Sequence, residues 1–147
     1  MSFENDIEKF AKKSLHKAEK IRRGAALKLF TAVIKDTPVD KGILIGNWQT
    51  SIGSPKTNML DIEDPNGDMA VGGAVYQLGS EVGLDRPIYM SNNMPYAMVA
   101  EYGLWSGAPS EKLTSKGYSR KAPVGMVRVN VTRFKKLLAI EVTKLPD

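Results

Sequence analysis

Thr37-Pro38-Val39-Asp40-Lys41-Gly42-Ile43-Leu44-Ile45-Gly46-Asn47-Trp48-Gln49 decides how the rest of this chain is read. Before it, apolar residues recur at helical spacing; after it come all the segments that read as strand. Pro38 lacks a backbone donor and pushes Thr37 out of the α region, so a helix arriving from the N-terminal side must stop there. Asp40-Lys41-Gly42 is turn chemistry, with Gly42 available for a positive φ. Ile43, Leu44 and Ile45 then open an apolar run, and a strand is expected from Ile43 to Ile52. Trp48, Thr50 and Ile52 would share one face, and Asn47, Gln49 and Ser51 the other.

Upstream, Phe3, Ile7, Phe10, Ala11, Ala18, Ile21, Ala25 and Ala32 follow a helical stripe that Leu29 and Val33 extend. Ser2 suits an N-cap, and Glu4 and Asp6 favour the first turn. An unbroken helix of about 33 residues would be a rod of about 50 Å, longer than a domain of this size is wide. Part of it should therefore project or pack on a neighbouring subunit, with Gly24 the expected site of a break. Before Gly24 the opposite face is charged: Lys9, Lys12, Lys13, His16, Lys17, Lys20, Arg22 and Arg23. After it, Ala25, Ala26, Leu27, Leu29, Phe30, Ala32, Val33 and Ile34 are apolar nearly all round, which marks buried helix. One domain, 1–147, is thus expected to carry a basic helical arm, 1–23, on a core, 24–147.

Length and composition fit that picture. A chain of 147 residues with 42% hydrophobic and 25% charged residues can close a single core without staples. The absence of cysteine excludes disulfides and thiolate metal sites. No apolar run reaches the roughly 18–20 residues of a membrane span, and the charged N-terminus is no secretory signal. The formal net charge of +5 is unevenly spread: +4 over residues 1–36, −6 over 37–111 and +7 over 112–147. Basic ends around an acidic middle fit complementary subunit contacts, attraction to nucleic acid, or simply solvated basic helix faces.

Downstream of the central turn, Lys56 to Asp68 reads as a loop with a short strand at Met59 to Ile62. Its acids, Asp61, Glu63, Asp64 and Asp68, lack calcium-loop spacing. Met69 to Leu78 suits a strand or a short helix, and Ile88 to Asn93 a strand. Tyr96 to Tyr102 reads as two helical turns closed by Gly103. Glu101, between Tyr96, Tyr102 and Trp105, has either a buried or interface role or is exposed on a short helix. Leu104 to Ala122 is a long, basic, breaker-rich loop with Trp105, Tyr118 and Arg120, a composition shared by binding loops, disordered loops and nucleic-acid grooves. In the last segment Val127, Val129 and Val131 alternate as in a strand, whereas Val127, Val131, Phe134 and Leu138 share a helical face.

Nothing here assembles a catalytic site. The one histidine, His16, lies on a charged helix with no evident partner. Zinc and Cys/His nucleophile chemistry are thereby excluded or nearly so. Gly72-Gly73 and Gly79 lack phosphate-loop spacing. Asp40 with Glu101 is a carboxylate pair that nothing favours over chance. The chain reads as non-enzymatic, with no cofactor and no metal.

Three pieces carry a resemblance: Thr37-Pro38-Val39-Asp40-Lys41-Gly42 through Trp48; Met94-Pro95-Tyr96-Ala97-Met98-Val99-Ala100-Glu101-Tyr102-Gly103; and Ala122-Pro123-Val124-Gly125-Met126-Val127. In this order, over about two thirds of the chain, they resemble the neck or tail-completion (minor tail) proteins of long-tailed, siphovirus-type bacteriophages. Lys41 and Ile45 depart from the pattern, standing where a small polar and a basic residue are expected. The resemblance implies a C-terminal helix from about Pro123 to Thr143. The fold expected is α+β: a long N-terminal helix, a small, mostly antiparallel sheet, a short middle helix, and a C-terminal helix packing on the sheet. Pro38, Asp40, Gly42, Trp48, Pro95, Tyr96, Glu101 and Gly103 match the family pattern and are expected to hold the fold. Lys12, Lys13, Lys17, Lys20, Arg23, Trp105, Tyr118 and Arg120 are the candidate interface.

The function implied is that of a structural virion protein at the head–tail junction, made in the host bacterial cytoplasm. It would complete the tail or help join it to a DNA-filled head. The partners implied are copies of itself in a ring, with six as one candidate count, and neighbouring neck, tail-terminator or tail-tube proteins. DNA would be nearby, and no membrane is involved. The competing reading is a nucleic-acid-binding module that uses the basic ends.

Overall fold

A computed structural model describes residues 2–145. The architecture is mixed α+β, as expected: a long N-terminal helix, a two-stranded antiparallel sheet, short middle helices, and a C-terminal helix against the sheet region. Helix α1 runs from Phe3 to Asp36. Ser2 caps it by accepting the Asn5 N–H at 3.2 Å, and Thr37, extended ahead of Pro38, ends it. Gly24 does not break it. The side chain of Glu141, from the last helix, fills the space where a Cβ at Gly24 would sit, so the glycine admits a close neighbour. Lys28, one turn on, pairs with Glu141 at 3.0 Å.

The central turn corrects the expected strand. Ile43–Gly46 is a single helical turn, α2, and only Gln49–Ile52 is strand, β1. Gly42, at φ 91°, reverses the chain, and its carbonyl accepts both the Gly46 N–H at 3.1 Å and the Asp64 N–H at 3.0 Å. A Cβ at Gly42 would run into the backbone of Asp64 and Pro65. The turn buries Leu44 and Ile45 in the core, and that packing overrides their strand preference. Nor does β1 alternate, since Thr50 and Ser51 are both buried.

Among the described residues β1 pairs only with β2, Ile88–Ser91, with Gln49 opposite Ser91 and Ile52 opposite Ile88. The expected strand at Met59 to Ile62 is instead an irregular strap. Asn47 donates to the Ile43 and Leu60 carbonyls at 2.8 and 3.1 Å and accepts the Leu60 N–H at 2.7 Å. Gln49, Ser91 and Asn93 hold the Lys56 and Asn58 carbonyls. Side-chain amides thus take up backbone groups that a third strand would have paired.

Asp68–Leu78 is helix α3, and buried Asp64 caps it by accepting the Ala70 N–H at 3.0 Å. Helix α4, Ala97–Tyr102, ends as expected on Gly103 at φ 67°. The expected helix from Pro123 starts late and is split into α5, Arg128–Val131, and α6, Phe134–Thr143. Gly125 at φ 87° turns the chain just before it, and the N–H groups of Met126, Val127 and Arg128 are bound to a side chain from α4. α6 then lies along α1. The core joins Val33, Ile34, Leu44, Ile45, Trp48, Ala70, Ala100, Ala122 and Met126. Phe30, Ala26 and Leu78 form a second cluster, against Ile52, Ile88 and Met90 of the sheet. No helix among the described residues is long and apolar enough to cross a membrane.

Candidate functional site

The residues of the first two resemblance pieces fall into two groups in space. Trp48, Glu101 and Gly103 hold the fold. The Trp48 indole donates to Thr37 Oγ1 at 2.7 Å, and Thr37 in turn donates to the Val33 carbonyl at 2.8 Å, so the strand entry is bolted to the end of α1. Glu101 is buried and collects a ring of donors. Its carboxylate accepts the N–H groups of Met126, Val127 and Arg128 at 2.7, 2.8 and 2.9 Å, and Arg128 Nε at 3.0 Å. Burial by itself would raise the Glu101 pKa. The three backbone donors and the Arg128 guanidinium outweigh it and hold the carboxyl below the ordinary value of 4.5. Arg128 also donates to the Glu101 carbonyl at 2.8 Å and lies over the Tyr102 ring, 4.3 Å from its centroid. Tyr118 packs on Gly103 so closely that a Cβ there would stand 2.5 Å from its ring.

Pro38, Asp40, Gly42 and Tyr96 form the second group, and they line a cleft of about 450 Å³ with Trp105 and Arg120. One wall is the central turn, 38–44; the other is the loop 105–121. Lys121 Nζ donates to the Val39 carbonyl at 2.7 Å and ties the two walls together. The loop is itself braced, with Leu113 bridged to Ser119 and Thr114 closing the turn onto Tyr118. Lys41, Lys112, Arg120 and Lys121 bring four cations to the rim, against Asp40 and Glu111. Burial raises the pKa of Tyr96, and the charge of Asp40 adds to the rise, so its phenol is neutral and able to donate. Cations, a phenol and the Trp105 indole around an apolar floor make a site that can bind an extended acidic or aromatic segment.

The arm is the third feature. Lys12, Lys13 and Lys20 are exposed on it and Lys17 is half-buried. Arg23, grouped with them from sequence, turns inward instead: its side chain is 17% exposed and its Nε lies 3.0 Å from Glu19 Oε1. Pro95 sits exposed at the entry to α4. His16, without an evident partner in sequence, lies with Nδ1 3.9 Å from Glu81 Oε1. His16, Glu19 and Glu81 each place one ligand atom within 4.8 Å of the others, the one grouping among the described residues with metal-ligand character. Glu19 is already engaged there by Arg23 and by the Val82 N–H at 2.9 Å, which makes the trio a pin between α1 and the loop after α3.

Sequence reasoning missed Thr37, Asn47, Asp64, Arg128 and Asn130; Arg128 and Asn130 find partners far off in the chain, Glu101 at 3.0 Å and Asp36 at 2.8 Å, whereas Thr37, Asn47 and Asp64 bond within 13 residues of themselves. Only Asp64, three residues before a glycine that opens a helix, had a local capping signal. Comparison of the chain with protein-family models, characterised proteins and solved structures finds no match.

Proposed function

We propose that this chain is a structural virion protein of a long-tailed bacteriophage, acting without catalysis at the head–tail junction. It completes the tail or helps join it to the DNA-filled head through protein–protein interfaces. Its partners are further copies, arranged as a ring about the tail axis, and neighbouring neck, tail-terminator or tail-tube proteins. It is made in the host bacterium and ends in the virion. The observation that carries this reading is the arm. Phe3, Ile7, Phe10 and Leu15 of α1 are 78, 52, 72 and 59% exposed, on a stretch of helix exposed from Phe3 to His16. Such a surface is matched to burial against another chain. The ordered resemblance pieces supply the phage setting.

The test is electron microscopy of lysates from a phage with a stop codon in this gene. Filled heads beside unjoined or misshapen tails are expected; normal, infectious particles would sink the reading. The second reading, a nucleic-acid-binding module, rests on residues 9–17, which carry four lysines and no acid. It requires DNA affinity that falls steeply with salt, because phosphate contacts release counterions.

A further inference from the structure

We infer that the tip of α1 from one copy of this chain, residues 3–10, docks in the cleft between the central turn and the loop 105–121 of a second copy. This rests on the reading of the chain as an assembly subunit and specifies which two surfaces meet.

The tip is the first of them. Phe3, Ile7 and Phe10 stand at i, i+4 and i+7, the spacing of a helix face that anchors in a groove. All three are more than half exposed. Residues 3–8 hold Glu4, Asp6 and Glu8 and neither lysine nor arginine. At about 100° per residue, Asp6 borders the apolar stripe on one side and Glu4 on the other. Glu8 is paired with Lys12 at 3.5 Å, whereas Glu4 and Asp6 have no ion-pair partner among the described residues. The tip is thus an apolar stripe edged with unpaired acid.

The cleft is its counterpart. Val39, Leu44, Tyr96, Trp105 and Leu113 line it, and a volume of about 450 Å³ takes anchoring side chains rather than a whole helix. Lys41, Lys112, Arg120 and Lys121 stand against Asp40 and Glu111, an excess of two positive charges. Arg120 and Lys121 already donate to the Ser110 and Val39 carbonyls. Lys41 and Lys112 are exposed and have no ion-pair partner among the described residues. Buried apolar anchors supply affinity in such a contact, and the acids facing Lys41 and Lys112 set its register. The same charges reject the rest of the arm. Residues 9–17 hold four lysines and no acid, so seating them would set lysine against lysine.

One molecule cannot make this contact with itself. α1 runs unbroken for 34 residues, a length of about 50 Å. The tip is one end of that rod, and the cleft wall that starts at Pro38 lies two residues beyond the other. Each copy therefore offers one acidic tip and one basic cleft, and each needs a different neighbour for each. Such a heterologous contact propagates into a ring when the rotation closes, and into an open array when it does not.

The chain has no cysteine, which makes the test direct. Glu4→Cys and Glu111→Cys chains are prepared separately, checked for wild-type circular dichroism, mixed in concentrated solution and oxidised. Expected is a disulfide-linked mixed dimer well in excess of either self-linked dimer and of a control pair in which Ser54→Cys replaces Glu111→Cys. Adding Asp6→Lys to the first chain, or Lys112→Glu to the second, should lower the mixed yield about fivefold, and combining the two should restore it. Added salt should lower it as well. Loss without restoration in the charge-swapped pair would overturn the proposal, because a variant that is merely misfolded is not rescued by its partner's change. So would a mixed yield no higher than the control, or a predominant self-linked product of either chain, which would mean tip-to-tip or cleft-to-cleft pairing. The phage experiment reads separately: a mixed product from a gene whose loss leaves normal particles keeps this contact and discards the virion role. Broken junctions without a mixed product do the reverse.

Discussion

Glu101 offers the sharpest test of how the last third of this chain is held. Its carboxylate is the acceptor for three successive backbone N–H groups, Met126, Val127 and Arg128, and for the Arg128 side chain. Met126 is buried, so its donor cannot recover a partner from water, whereas Arg128 is exposed and its own N–H can. An orphaned buried donor costs about 1–3 kcal/mol, and hydrogen bonds to a charged acceptor are worth about 1.5–3 kcal/mol each. Weighting the exposed donor lightly, Glu101→Ala should cost about 4 kcal/mol, within the range for removing one partner from a buried charged network. For a domain of this size that is a fall in melting temperature of roughly 8–16 °C. Glu101→Gln keeps one acceptor oxygen and should lose about half as much. The pH dependence is the discriminating readout. Because the folded carboxyl titrates below 4.5, its stabilisation is complete above that value and drains away as pH falls through the folded pKa. Denaturant titrations from pH 7 to pH 3 should therefore show the wild-type chain losing stability faster than Glu101→Gln. An unchanged midpoint for both variants at pH 7, or parallel acid slopes, would falsify the capping account.

Two further substitutions probe other parts of the fold. Thr37→Val removes the acceptor for the buried Trp48 indole at nearly constant volume and should cost about 1–3 kcal/mol, read as a lowered urea midpoint with an unchanged slope; no change would mean that the bolt between α1 and β1 is idle. Gly73→Ala should act in the opposite direction: with open space at its Cβ and an interior helical position, it should stabilise the isolated chain by about 0.5–1 kcal/mol. If thermal melts show it destabilising instead, the outer face of α3 is not open.

The fold-holding motif residues and the cleft share a logic. Gly42 and Gly103 are both left-handed, and both allow a neighbour to come where a side chain would stand: the Asp64–Pro65 backbone in one case, the Tyr118 ring in the other. Each thereby fixes the base of one cleft wall, the central turn and the loop that begins after α4. Rigid walls of this kind suit a site that receives a partner segment.

What the sequence determined by itself was whatever depends on neighbours in the chain. The cap at Ser2, the helix end ahead of Pro38, the left-handed closure at Gly103, the extended run at Ile88 and the α+β class all follow from local sterics and periodicity. The tertiary structure alone decided the places where packing outweighs propensity. Ile43–Ile45 fold as a helical turn because Leu44 and Ile45 must enter the core, and Gly24 stays helical because α6 needs its missing Cβ. The C-terminal helix begins at Arg128 because Glu101 holds the N–H groups before it. His16 gains Glu81, and the arm gains a bare stripe, only once the loop after α3 and the end of α6 are placed in space. Each of these turns on residues dozens of positions apart, a distance over which no local spacing carries a signal.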